Sequence, residues 1–243
     1  NNIFEINVGM KKDDLLSISP LDGRYSEICK DIGNIFSEYS LIKYRVHIEI
    51  KWFIYLSKLN KISGLPKLRA KDQNFLNNIL TNFDITDAKA IKDFEKTTKH
   101  DVKAVEYFLK SKFEKSAQLK RYKEYIHICC TSEDINNLSY ALMIKDGRAI
   151  ILNKINALKK IFHSNMKKFS KNIMLSHTHG QPATPTTMGK EFLNFYHRID
   201  KLSDKLKNIT IEGKFNGATG NYSAHKVTFP NIRWPATNKK FIN

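Results

Sequence analysis

Two apolar stripes of helical period dominate the second half of the sequence, and their length leaves few folds open. Ile135, Leu138 and Leu142, then Ile151, Ile155, Leu158, Phe162, Met166 and Phe169, keep one face apolar. Unless Gly147 bends it, a helix that starts at Ser132 and covers that span runs about 60 Å at 1.5 Å per residue. After the segment SHTHGQPATPTT the stripe resumes as Met188, Phe192, Phe195, Ile199, Leu202, Leu206 and Ile209. An amphipathic helix must cover its apolar face. One pair of helices this long cannot bury everything it presents, so an elongated bundle that self-associates is expected.

The first half carries the same period. Ile35, Tyr39, Ile42, Val46, Ile50 and Phe53 form one stripe, and Asp101 opens a helix with Val102, Val105, Leu109 and Phe113 facing inward. Ser132 followed by Glu133 and Asp134 is a helix start, because a cap and early carboxylates satisfy free N–H groups and the helix dipole. Strand signals are nearly absent and only 10 Gly and 6 Pro interrupt the chain, so the fold class is all-α. The expected organisation is a loose tail at 1–13, an N-terminal helical domain at 14–118, and the first part of a long central helical bundle at 119–243. The boundary is set where the texture changes near 116–121.

Charge narrows the partners. Lys and Arg total 41 against 24 Asp and Glu, a formal charge of +17. That favours an anionic partner such as nucleic acid, a membrane surface or a multiply charged metabolite, with lysine-biased usage on a solvated surface as the plain alternative. The basic residues do not interleave with aromatics as a nucleic-acid stacking platform requires. No apolar run approaches the roughly 20 residues of a membrane helix, and the N-terminus is too polar for a signal peptide. Three Cys suit a reducing compartment, and a cytoplasmic location is expected.

Chemistry is expected in the polar stretches between helices. These are SPLDGRY (19–25), TTKHDVKAVEY (97–107), CTSEDINNLS (130–139), SHTHGQPATP (176–185) and NGATGNYSAH (216–225). Taken singly, each has a plain alternative. Arg24 reads as a surface cation, His100–Asp101 as a helix-start pair, Thr131 and Ser132 as caps, and Asn136–Asn137 as residues bonding neighbouring backbone. His177 and His179 lack the further ligands a zinc site needs, so no metal is expected. Cys129–Cys130 lies in YIHICC, an apolar run read as helical, where Cys is filler. Together the five stretches supply cations, hydroxyls at a helix start and a His-Gly-Gln segment. Those are the parts needed to hold an anionic substrate and donate a proton.

In this order and spacing, SP-DGRY, TT-HDVKAVEY, CTSEDINNLS, HGQPATP and Asn-Gly-Ala-x-Gly-Asn-Tyr resemble the adenylosuccinate lyases of the fumarase/aspartase superfamily, from about Leu15 to about Pro230. The resemblance implies a fumarase/aspartase-like fold and β-elimination of fumarate from adenylosuccinate, giving AMP, and from the succinylated imidazole-carboxamide ribotide of purine synthesis. It implies no cofactor or metal, nucleotide substrates rather than nucleic acid or membrane, and a homotetramer whose active sites draw on several subunits. By position it implies His179 as general acid, since imidazole titrates near neutrality. Thr178 and Gln181 would orient the substrate. Arg24 and Tyr25 match phosphate contacts, Lys99, His100 and Asp101 a second binding triplet, and Thr131 and Ser132 a carboxylate grip at a helix N-terminus.

The sequence also departs from the family. Lys99 stands where some members have Asn, which preserves anion affinity. The family's Ser-Ser-x-Met-Pro-x-Lys-x-Asn loop, which supplies the catalytic base, does not occur in these residues. Family chains are about twice as long, so an N-terminal portion is expected, inactive alone, with a poor match around Arg233–Phe241. The alternatives are another lyase of the superfamily, and a non-catalytic basic helical binding protein.

Overall fold

A computed structural model describes residues 18–243, so the expected tail at 1–13 lies outside the described residues. The helices are α1 (Lys30–Phe36), α2 (Glu38–Lys58), α3 (Ala70–Thr81), α4 (Ile85–Thr98), α5 (Asp101–Glu114), α6 (Ser132–Lys168), α7 (Met188–Asn208), α8 (Ser223–Thr228) and α9 (Trp234–Ile242). A 3₁₀ helix covers Leu119–Tyr125, and two strands, β1 (Ile173–Thr178) and β2 (Gln181–Thr187), lie between α6 and α7. The chain divides into two compact units, one containing the described residues up to Ile144 together with Glu212–Asn243, the other Lys145–Ile211.

In the first unit α2 is the axis of the core. Ser37 caps it, its side chain accepting from the Ser40 N–H, and so breaks the stripe expected from Ile35 to Phe53 into α1 and α2. Asp84 caps α4 with bonds from the N–H groups of Thr86 and Asp87 at 2.8 and 3.0 Å. The faces predicted for α5 are buried at Val102, Val105, Leu109 and Phe113. The returning segment closes the core. Trp52, fully buried, has its ring centroid 4.5 Å from Phe215, 5.0 Å from Phe241 and 6.3 Å from Trp234. Leu119, Ile126, Ile135 and Leu138 belong to the same cluster.

The run YIHICC is not an α-helix, contrary to the sequence expectation: its Tyr125 ends the 3₁₀ helix and the rest is non-helical. From Ile126 the chain leaves the 3₁₀ helix as a turn in which His127 and Cys129 hold φ of 61° and 64°. Tertiary bonds impose that conformation: the Trp52 indole donates to the Ile128 carbonyl at 2.9 Å, and His127 Nδ1 meets the buried Glu49 carboxylate at 2.5 Å. Burial pulls the His127 pKa down, but the charge and hydrogen bond of Glu49 outweigh it, and the net shift is upward.

In the second unit the C-terminal part of α6 pairs antiparallel with α7. Phe162 lies 6.1 Å from both Phe192 and Phe195, Phe169 lies 5.9 Å from Phe192, and Lys159 pairs with Asp200. Close approach at the start of α7 requires Gly189, where a Cβ would meet the Met166 carbonyl oxygen and Ser170 Cα at 2.6 Å. Much of the predicted stripes is uncovered within the unit: Phe195 is 51% and Leu202 63% exposed, and the buried residues of α7 are Gly189 and Ser203. The segment between the helices, read from sequence as a loop, is an antiparallel hairpin with Thr178 opposite Gln181 and Ile173 opposite Thr187.

Candidate active site

Four of the five motifs fall wholly in the first unit, and three of them are bonded to one another. Lys99 ends α4 in the left-handed region (φ 53°), which turns the chain sharply into His100, the cap of α5. His100 Nδ1 accepts the Lys103 N–H at 3.3 Å. In the neutral ring the proton is then on Nε2, which lies 3.4 Å from Ser132 Oγ at the start of α6. The KHD and TSEDINN motifs therefore meet at two helix N-termini, where the helix dipole favours an anion.

The carboxylate of Asp101 is already committed. Its Oδ1 accepts the Val102 N–H at 2.8 Å and its Oδ2 pairs with Arg45 at 2.6 Å. Burial would raise its pKa, but the Val102 bond and the Arg45 and His100 charges reverse that and lower it.

Asp134 has no solvent exposure and functions as a hub rather than a simple helix-start charge. It accepts the Thr131 N–H at 3.0 Å, closing the first turn of α6. It also accepts the N–H groups of Asn216 and Gly217, each at 3.0 Å, and pairs with Lys214 Nζ at 2.7 Å. Asn137 accepts the Lys214 N–H at 2.6 Å, and Asn136 accepts from Arg45 Nε at 2.8 Å. The two asparagines thus reach distant segments, not the neighbouring backbone expected of them. The NGATGNY loop is thereby fastened to the start of α6, leaving Thr131 and Ser132 half-exposed beside His100.

Arg24 and Tyr25 lie in the turn preceding α1, exposed, with the guanidinium 5.4 Å from the centre of the Tyr25 ring. Thr178, His179 and Gln181 belong to the second unit. His179 and Gly180 form the two-residue tip of the β hairpin with φ of 53° and 74°, the pattern of a type I′ turn. Thr178 and Gln181 are the residues flanking that tip, and all three predicted site residues are exposed. Among the described residues no three His, Cys, Asp or Glu side chains gather as metal ligands, and no helix is long and apolar enough to cross a membrane.

Arg45, Lys214 and the hub role of Asp134 escaped the sequence reading. Arg45 carried one signal, a charge set between Ile42 and Val46 in an otherwise apolar stripe. Asp134 was legible only as a helix-start carboxylate and Lys214 not at all, because the two partners lie 80 residues apart in the chain.

A family model described as lyase matches residues 23–234. Among curated relatives, adenylosuccinate lyase of Buchnera aphidicola subsp. Schizaphis graminum is 47% identical over 234 residues, covering 96% of this chain and 51% of that protein. The adenylosuccinate lyases of Legionella pneumophila strain Corby and Escherichia coli K12 are 47% and 42% identical, over 94% and 96% of this chain. The chain spans about half the length of these curated relatives. Among solved structures, a fumarate lyase from Mesorhizobium sp. BNC1 superposes with a TM-score of 0.69 at 18% identity, over 87% of this chain and 47% of that one. A β-carboxy-cis,cis-muconate cycloisomerase from Acinetobacter calcoaceticus gives 0.67 at 17% identity, covering 88% and 47%. At such identities the likeness establishes the fold alone.

Proposed function

The chain belongs to this lyase family, and on that premise we propose that it is the N-terminal half of an adenylosuccinate lyase of purine nucleotide biosynthesis. The reaction breaks a C–N bond by β-elimination. A base removes the Cβ proton, charge accumulates on the adjacent carboxylate, and an acid protonates the departing nitrogen as fumarate leaves. The acid is His179, carried at the tip of a two-residue turn, and Thr178 and Gln181 orient the substrate beside it. His100, Thr131 and Ser132 receive a succinyl carboxylate, while Arg24, Tyr25 and Lys99 receive phosphate. The base belongs to the part of the family's length that these residues do not include. We assign residues 14–118 to an N-terminal helical domain and 119–243 to the start of a central bundle. In the cytoplasmic homotetramer we propose, partner helices cover the open faces of α6 and α7.

The observation that carries this reading is the meeting of His100 with Ser132 at the paired N-termini of α5 and α6. It joins two of the motifs on which the resemblance rests, in a chain 42–47% identical to adenylosuccinate lyases. The test is an assay of fumarate release. The full-length protein should cleave adenylosuccinate in preference to argininosuccinate. Residues 1–243 alone should release none until the remaining segment is added in trans. Turnover by residues 1–243 alone would overturn the division of labour, and a full-length protein inert to adenylosuccinate would overturn the activity.

A further inference from the structure

Arg45 belongs to none of the motifs, yet its side chain bonds to two of them. It sits on α2 among the buried residues Ile42, Val46 and Glu49 and is itself only 7% exposed. A guanidinium removed from water is tolerated where its donors are met by charge-assisted bonds. Here both prongs are met by helix starts. Nη2 reaches Asp101 Oδ2 at 2.6 Å, on the first residue of α5, and Nε reaches Asn136 Oδ1 at 2.8 Å, one turn beyond Ser132 on α6. These partners lie 56 and 91 residues away in the chain. The planar fork fixes their separation in a way a single ammonium could not.

We propose that Arg45 is a positioning residue: a buried brace that holds the N-termini of α5 and α6 at the spacing where His100 and Thr131–Ser132 grip one carboxylate. It touches no substrate and acts through Asp101 and Asn136. Resting as it does on the lyase reading above, this inference requires first that the full-length protein cleave adenylosuccinate.

The test compares Arg45→Lys and Asn136→Ala in the full-length protein, with melting temperature and circular dichroism recorded beside steady-state kinetics. Lysine retains the charge at Asp101 and loses the second prong, while Asn136→Ala removes the second prong alone. Each should raise KM for adenylosuccinate by about tenfold, the scale of one misplaced hydrogen bond to a charged group, with kcat changed by less than about threefold. In a double-mutant cycle, the KM effects of Asn136→Ala and Ser132→Ala should fall short of multiplying, because both weaken one grip. If Arg45→Lys fails to fold, Asn136→Ala and its cycle decide. Folded variants with KM within about twofold of wild type, or effects that multiply freely with Ser132→Ala, would overturn the proposal. A wild-type protein inert to adenylosuccinate would instead retire the lyase reading, and the brace with it, before any variant is compared.

Discussion

Asp134→Ala should be the most destabilising single change at the start of α6, and the structure sets its scale. The substitution strands two backbone N–H groups, those of Asn216 and Gly217, beside fully buried side chains, and releases the Thr131 N–H that closes the first helical turn. Hydrogen bonds to a charged group contribute about 1.5–3 kcal/mol each. Their sum overstates the loss, because Lys214 keeps the Gly217 carbonyl at 2.7 Å and is partly exposed, so its ammonium retains partners. Leaving two backbone donors unpaired costs about 1–3 kcal/mol each, and with the released Thr131 N–H a total of about 3–5 kcal/mol is expected here. At about 2–4 °C per kcal/mol for a unit of this size, the melting temperature should fall by about 6–20 °C. Tryptophan fluorescence is a selective probe. The chain has 2 Trp, Trp52 and Trp234, and both are buried in the core of the first unit with ring centroids 6.3 Å apart. Urea titration should show a lower midpoint at an unchanged slope. A loss below about 1 kcal/mol would refute the hub assignment.

Two further outcomes are expected. In the full-length protein, His179→Ala should lower kcat by about 10²–10⁴ with a modest change in KM, and His177→Ala should do much less; equal losses in steady-state assays would count against His179 as the acid. His225 is fully buried, and burial depresses its pKa from 6.5 to about 4. The unfolded chain therefore takes up the proton first, so stability present above pH 6.5 should drain away as pH falls towards 4, by at most about 3 kcal/mol. Urea midpoints measured across that window should be flatter for His225→Gln, and an unchanged slope against pH would remove His225 as the cause.

What could be read from the sequence and what could not divide along physical lines. The helices carrying stripes were legible, as were the faces of α2 and α5, because periodicity is a local property. Periodicity states which face is apolar but not what covers it, so Val105 and Phe195 looked alike although one is buried and the other half-exposed. The hairpin was hidden because its second strand, QPATPTT, lacks apolar alternation and carries prolines. The turn at His127 and Cys129 was hidden because distant partners, Glu49 and Trp52, impose it. In the candidate site the exposed polar residues were legible as motifs, whereas the buried ones that fix their geometry, Arg45 and Asp134, are defined by partners far along the chain.

The first unit is interrupted in sequence by the second, and this sets the order in which the chain can fold as it is made. The Tyr55 hydroxyl donates to the Thr237 carbonyl, a contact spanning 182 residues. At roughly 5–20 residues per second, a ribosome needs about 10–40 s to produce the second partner after the first. Throughout that interval the aromatic face of Trp52 waits for Phe215, Trp234 and Phe241, while all of Lys145–Ile211 is synthesised and extruded. Slower translation through that stretch lengthens the exposure of an unfinished core to chaperones and proteases, even though none of its codons specifies a residue of the first unit.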